Sequence, residues 1–339
     1  MIVCDFRSDT VTKPSASMLE QMMLAPVGDD VYGEDPTVNR LQEYAANLFG
    51  KEAALFCASG TQTNQIAINV HVKPGGEVIC HEESHIYKYE GGGIAKNSGA
   101  SVRLLAGDRG RLTATSVEQA IQPDDVHFPT TQLIALEDTA NRGGGSVYDY
   151  EEILRIATIA KQYKLPLHLD GARVFNALTV NQLECKTYAK PFDSLSVCLS
   201  KGLGAPVGSL LIGTKDFIQQ AKRVRKVMGG GMRQAGFLAA AGLFALENNV
   251  KRLHIDHQQA KLLEQALSAC DWVSSCMPVQ TNIVVADLVD SAKRDEMIQR
   301  LAAVNIKVSA FGPGKIRLVT HLDITAEMMA YTLEKIKSC

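Results

Sequence analysis

Two short apolar runs constrain this chain more than any other feature. The first, Leu165-Pro166-Leu167-His168-Leu169, stops at Asp170-Gly171-Ala172-Arg173. The second, Ser194-Leu195-Ser196-Val197-Cys198-Leu199, stops at Ser200-Lys201-Gly202-Leu203-Gly204. Runs of this length bounded by turn residues read as buried strands, with polar residues left where each strand ends. An open α/β sheet binds its ligands at the carboxyl ends of its strands. Two strand ends therefore offer an acid and a lysine to one crevice.

Five further runs have the same character: residues 53–57, 77–81, 101–105, 132–137 and 209–213. Helical stretches separate them, predicted over 16–24, 62–70, 115–121, 148–163, 216–228 and 234–248. Asp35 reads as an N-cap and Pro36 as the first residue of another helix, which runs to Phe49 with Gly50 past its end. The alternation predicts an α/β fold. From about Val250 the pattern changes to helices over 252–269 and 292–304 with short strands over 282–286 and 316–319, a small α+β domain. The division is thus 1–249 for an N-terminal segment and large domain, and 250–339 for a small C-terminal domain.

A length of 339 residues accommodates a large core and a smaller one. With a net charge of −2 there is no electrostatic case for nucleic acid or an anionic membrane. The first residues hold no apolar stretch long enough for a signal peptide, and no run approaches a membrane span. Eight cysteines without a CxxC pair indicate neither a zinc site nor a disulfide framework, so a cytoplasmic location is expected. His81 and His85 stand four apart, but His81 closes a strand, so no metal pair is read.

The chemistry follows from the strand ends. A lysine among small residues, largely out of water, loses its proton and forms a Schiff base. An aspartate keeps a pyridine nitrogen protonated, which makes the ring an electron sink. Both are what pyridoxal phosphate asks of a protein. Alone, Asp170 reads as a helix cap and Lys201 as a surface lysine in a Gly-rich turn; the pair with its flanks points to the cofactor. Ser59-Gly60-Thr61 sits between a strand and a helix, where backbone N–H groups and the helix dipole suit a phosphate, although many turns look alike. His85 follows Ser84 at a helix start and is either a capping histidine or one that stacks on a ring and reaches a substrate proton. Arg317 lies in a strand among apolar residues, which fits a salt bridge or a ligand carboxylate. The acidic segment 28–36 reads on composition as a solvated turn, and the run 222–226 as a solvated basic face. Gly229-Gly230-Gly231-Met232-Arg233 breaks the helix before it and brings backbone close to something, with a neighbouring subunit's phosphate site as one reading.

Several of these motifs together resemble the low-specificity L-threonine aldolases: Arg7-Ser8-Asp9-Thr10-Val11-Thr12, the segment from Gly28 to Val38, Asp170-Gly171-Ala172-Arg173, Ser200-Lys201-Gly202-Leu203-Gly204, Gly229 to Gln234, and Arg317-Leu318-Val319-Thr320-His321. The likeness covers nearly the whole chain. It implies a pyridoxal-phosphate-dependent transferase-like (fold type I) α/β large domain, with a mixed, mostly parallel seven-stranded sheet. It also implies a homotetramer with active sites shared between subunits, and it assigns segment 28–36 to the active-site region. By that likeness Lys201 carries the cofactor, Asp170 pairs with its pyridine nitrogen and His85 stacks on its ring. Ser59, Gly60, Thr61, Ser200 and Arg233 attend the cofactor, and Arg173 serves it as well as the substrate. Ser8, Arg173 and Arg317 bind the substrate carboxylate, and His127 stands near the substrate side chain as a second catalytic histidine. The implied reaction is cleavage of L-threonine, L-allo-threonine and similar β-hydroxy-α-amino acids to glycine and an aldehyde. A β-eliminating lyase, an aminotransferase, a hydroxymethyltransferase and a non-catalytic binding protein are the alternatives. One departure is visible: where relatives commonly read Glu-Asn-Thr-His-Asn, this chain has Glu137-Asp138-Thr139-Ala140-Asn141.

Overall fold

Strict alternation within the apolar runs decides which face of the sheet each side chain meets. The computed structural model describes residues 2–338. After a short strand β1 (Cys4–Asp5), the seven runs form β2 (Ala53–Cys57), β3 (Glu77–His81), β4 (Ser101–Leu105), β5 (Thr131–Glu137), β6 (Leu167–Gly171), β7 (Ser194–Cys198) and β8 (Ser209–Gly213). They make one sheet in the order β2-β8-β7-β6-β5-β3-β4. Strands β7, β6, β5, β3 and β4 run parallel, and β8 is antiparallel to both its neighbours. The sheet is therefore mixed and mostly parallel, as the sequence predicts. In register, Asp170 lies beside Glu137 on one side and Ser196 on the other, so three polar residues meet at the carboxyl ends.

Helices cover both faces: α1 (Ala16–Met23), α2 (Pro36–Phe49), α3 (Gly60–His71), α4 (His85–Lys88), α5 (Gly93–Ser98), α6 (Ala114–Ala120), α7 (Tyr150–Gln162), α8 (Val174–Asn181), α9 (Cys185–Ala189), α10 (Lys215–Val227) and α11 (Gly236–Phe244). One face is apolar throughout: Phe56, Leu167, Leu169, Leu195 and Val197 share a core with residues of α2, α7, α8 and α11. On the other face α3, α5 and α10 pack over smaller apolar clusters at the sheet's two sides. Between those clusters the strands present His168, Asp170, Ser194 and Ser196, all buried. This polar seam under α3 follows from period-two alternation, because each of these residues adjoins a leucine of the opposite face.

Local chemistry explains the element ends. The Asp35 carboxylate accepts from the N–H groups of Thr37 and Val38, and Gly50 closes α2 at φ 63°. The run 222–226 is not a solvated face throughout, because Arg225 is buried. Its guanidinium lies 2.7 Å from Asp30 and donates to the Phe56 carbonyl at 2.7 Å. Segment 28–36 is likewise tied down: Asp35 also accepts from Gly28 N and Gly236 N, and Asp29 pairs with Arg233 at 3.0 Å.

Beyond α11 a π turn over Ala245–Asn249 and a 3₁₀ turn lead into α12 (Leu253–Ser268). A four-stranded antiparallel sheet follows, β12-β13-β10-β9, from β9 (Val273–Cys276), β10 (Ile283–Leu288), β12 (Ser309–Ala310) and β13 (Lys315–Val319). It packs with α12, α13 (Arg294–Ala303) and α14 (Ala326–Ile336) around a second core. Strand β1 pairs in parallel with β11 (Ile306–Lys307), and Cys4 and Phe6 join that second core. Among the described residues, no helix is long and apolar enough to cross a membrane.

Candidate active site

Asp170 is held at the end of β6 with almost no exposure. Its Oδ2 accepts from the Asn64 side-chain amide at 3.0 Å, and its Oδ1 from the Ala172 N–H at 3.2 Å. His85 opens α4 close by, and its backbone N–H donates to Glu137 at 2.7 Å. Its Nδ1 lies 3.0 Å from Glu90 Oε1. Glu90 is buried and anchored by Asn64 at 2.9 Å and Gln65 at 2.6 Å. Burial alone would lower the imidazole pKa of His85. The hydrogen bond to Glu90 and the charges of Asp170 and Glu90 outweigh it, so the net shift is upward. Glu137, fully buried beside Asp170, has its carboxyl pushed up to about 7 by desolvation and by that neighbouring charge.

The arginines differ in what they have left to give. Arg173 forms a bidentate pair with Asp9, at 2.8 and 2.7 Å, in which both side chains are buried. Burial opposes the Asp9 charge, but the Arg173 guanidinium prevails and holds its carboxyl down at about 2. Arg317 sits on β13, where Ile316 and Leu318 face the second core and alternation turns Arg317 the other way. Its Nη1 donates to Asn141 Oδ1 at 2.9 Å and its Nη2 to the Arg7 carbonyl at 3.0 Å. Its Nε is buried without an acceptor, and desolvation and Arg173 pull its pKa down to about 10. A cation with an unpaired buried donor suits an anion brought from outside.

At the start of α3 the Ser59 hydroxyl caps Gln62 N at 3.1 Å. A Cβ on Gly60 would meet Cys198 Sγ at 2.6 Å, so only glycine lets β2 turn into α3 this close to β7. A 12-residue helix thus opens beside the carboxyl ends of the strands with its first N–H groups unused inside the helix. Lys201 follows β7 and Ser200, and its carbonyl accepts from Thr12 Oγ1 at 3.0 Å.

The structure brings Ser8, His85, Arg173, Lys201 and Arg317 into one cleft of about 380 Å³, with Thr10, Tyr89, Asn141, Arg142 and Phe311 completing its walls. Asp170 stands behind His85, outside the lining, as do Ser59, Gly60, Thr61 and Ser200 at the ends of β2 and β7, and two further predicted residues lie away from the site on this chain. His127 projects from a surface loop, its side chain 81% exposed and bonded to Asp125 at 2.7 Å. Arg233 is half-exposed beside Asp29. Asn64, Glu90, Asp9 and Asn141 do not stand out in the sequence. Glu90 precedes a glycine run that reads as a loop, and Asp9 sits in a polar segment far from Arg173 in the chain. The departure at Ala140 packs against another loop, since a Cβ on Gly110 would meet the Ala140 methyl at 2.5 Å. Asn141, next to it, holds Arg317.

These donors fit pyridoxal phosphate. Lys201 supplies an amine, Asp170 a buried carboxylate at a strand end, and the α3 N-terminus a cradle from which a Cβ is excluded at Gly60. Comparison with known proteins agrees. The beta-eliminating lyase family matches residues 5–291. The low specificity L-threonine aldolase of Escherichia coli K12 is 45% identical over 327 residues, covering 96% of each chain. A probable low-specificity L-threonine aldolase 2 of Arabidopsis thaliana is 41% identical, covering 97% of this chain and 95% of its own. In fold, the chain is similar to the threonine aldolase of Leishmania major, with a TM-score of 0.84 at 23% identity over 99% of both chains. A putative L-allo-threonine aldolase of Listeria monocytogenes superposes with a TM-score of 0.82 at 21% identity, over 96% of this chain and 93% of its own. The cleft joins a lysine to an arginine without an acid partner, a buried aspartate lies behind its histidine, and the likeness to those relatives runs through nearly the whole chain, which belongs to the low-specificity L-threonine aldolases of the beta-eliminating lyase family.

Proposed function

We infer that this protein cleaves L-threonine, L-allo-threonine and related β-hydroxy-α-amino acids to glycine and an aldehyde, with pyridoxal phosphate as cofactor. The observation that carries this reading is the cleft in which Lys201 and Arg317 converge. Arg317 keeps a buried donor without an acceptor, as a carboxylate-binding residue should. When bound, the cofactor supplies an electron sink for the pair released as the Cα–Cβ bond breaks.

The chain's own residues do the rest. Lys201 would anchor the cofactor through its amine, and Asp170 would keep its ring nitrogen protonated. Ser59, Gly60, Thr61 and Ser200 would hold the phosphate, with Arg233 offered to a neighbouring subunit. Ser8, Arg173 and Arg317 clamp the substrate carboxylate, which fixes the Cα–Cβ bond for cleavage. His85 would stack on the ring. With Nδ1 engaged by Glu90, its Nε2 is the atom that takes the β-hydroxyl proton. His127 is the second histidine read for the substrate side chain. We also read residues 1–249 and 250–339 as large and small domains, a division supported by their separate cores, with β1 attached to the second. A cytoplasmic homotetramer in threonine breakdown and glycine formation completes the reading.

The test is release of acetaldehyde and glycine from each threonine isomer by the holoenzyme, beside Lys201→Ala. Equimolar products that vanish in the variant are expected. Cofactor bound at Lys201 with neither isomer cleaved would overturn the aldolase reading, and pyruvate with ammonia would replace it by β-elimination.

A further inference from the structure

The polar seam beneath α3 is one continuous hydrogen-bonded chain, and its direction can be worked out atom by atom. Asn64 donates through Nδ2 to two carboxylates, Asp170 at 3.0 Å and Glu90 at 2.9 Å. Turning the amide over would set its oxygen against both carboxylates, so this orientation is fixed by charge and not by choice of assignment. The Asn64 oxygen must therefore accept, and its partner at 3.1 Å is His168 Nε2. His168 must carry its proton on Nε2. Burial depresses its pKa to about 3, so the ring is neutral and Nδ1 is an acceptor. The Ser194 hydroxyl, 2.8 Å from Nδ1, must donate to it. That leaves the Ser194 oxygen to accept from His71 Nε2, also at 2.8 Å. His71 is neutral too, depressed to about 4 by burial against the opposing charge of Asp193, and it stacks on Phe217 at 4.7 Å between ring centroids.

Each link is placed by the fold. His168 and Asp170 are two apart on one face of β6, and Ser194 is the register partner of His168 on β7. Asn64 and His71 are seven apart on α3, so one side of that helix meets both ends of the seam. No apolar requirement explains a histidine, a serine and an asparagine here, and three buried polar residues are costly unless each is satisfied. In this chain each one is.

We propose that His168, backed by Ser194 and His71, is a positioning relay that locks the Asn64 amide and thereby holds Asp170 in place for the cofactor's ring nitrogen. The inference rests on the cofactor reading above. It adds residues that never touch the cofactor and gives each proton in the relay one location. The charged and titratable groups around Asp170 are Glu137 on β5, His85 at the start of α4 and Glu90 just past its end, with Lys201 acting on His85 in turn.

The experiment combines ring-nitrogen NMR of histidine-labelled holoenzyme with the cofactor dissociation constant and visible spectrum of three variants. In the wild type, His168 is expected as the Nε2–H tautomer, neutral and unchanged between about pH 5 and 8. His168→Leu removes the donor to Asn64 and is expected to weaken cofactor binding about tenfold or more and to shift the pH dependence of the cofactor band. His168→Gln, whose amide nitrogen can stand in for Nε2, should restore most of the affinity and the band. Ser194→Ala should fall between and serves if His168→Leu does not fold. An Nδ1–H tautomer at His168 would overturn the proposal. So would a His168→Leu or Ser194→Ala enzyme that melts earlier yet keeps wild-type affinity and band, because that is a structural role alone. A wild type that fails to bind the cofactor would instead overturn the reading beneath it.

Discussion

Glu90 shows how much of the site chemistry rests on one residue that carries no sequence signal of its own. It is buried, anchored by two amides, and hydrogen-bonded to the imidazole of His85. Glu137, Asp170 and Lys201 are the other charges facing that imidazole. A base must be neutral to take the hydroxyl proton, so activity rises as pH climbs through the His85 pKa. Desolvation lowers that pKa and Glu90 raises it, with the net shift upward. Glu90→Gln keeps the shape and removes the charge, so the acid limb of kcat/KM should move to lower pH. An acid limb that stays put or moves upward would take Glu90 out of this role. The strand ends made Asp170 and Lys201 legible, because an apolar run that stops at a charge has few meanings. Glu90 was not legible, because its partner Asn64 lies a helix and a strand away.

At the scale of elements the strands were legible and the use of α3 was not. The apolar runs match all seven strands of the large sheet, and Asp35-Pro36 marks the start of α2, because those signals are local. The stretch that became α3 reads as a helix of small and apolar residues, but its polar face is turned to the sheet. Short elements such as β1, β11, α8 and α9 left no periodic signal long enough to read. The entry into α3 is a close approach between elements, with Gly60 against Cys198. Gly60→Ala should cost about 1–3 kcal/mol in stability through overpacking and weaken the cofactor by displacing the phosphate cradle. Adding Cys198→Ala to that background removes the sulfur and should recover most of both losses. The double-mutant cycle measures this directly, and additive effects would refute the contact as the cause.

Across the whole molecule one buried ion pair joins parts that chain order keeps apart. Asp9 lies in the N-terminal segment, Arg173 follows β6, and Asn282, which also reaches Asp9 at 3.4 Å, precedes β10 in the second sheet. Residues 6–14 are mostly polar, and polarity there serves a buried pair whose other half is 164 residues away. Such a pairing has no local signature. Replacing Asp9 by Asn leaves the Arg173 charge buried and uncompensated, a loss of about 3–5 kcal/mol. The pH dependence identifies the cause. The Asp9 carboxyl stays ionised down to about 2 in the folded chain, whereas an unfolded aspartate protonates near about 3.9. Its contribution is therefore complete above about pH 4 and disappears as pH falls toward about 2. Melting the cofactor-free wild type and Asp9→Asn between about pH 3 and 7 cancels the titration of other groups in the difference. The gap in Tm should be wide and level at the neutral end and narrow at the acid end. A gap of constant width would mean that Asp9 acts by shape and not by charge, and the ion pair would lose its place as the tie between the N-terminal segment, the cleft and the second sheet.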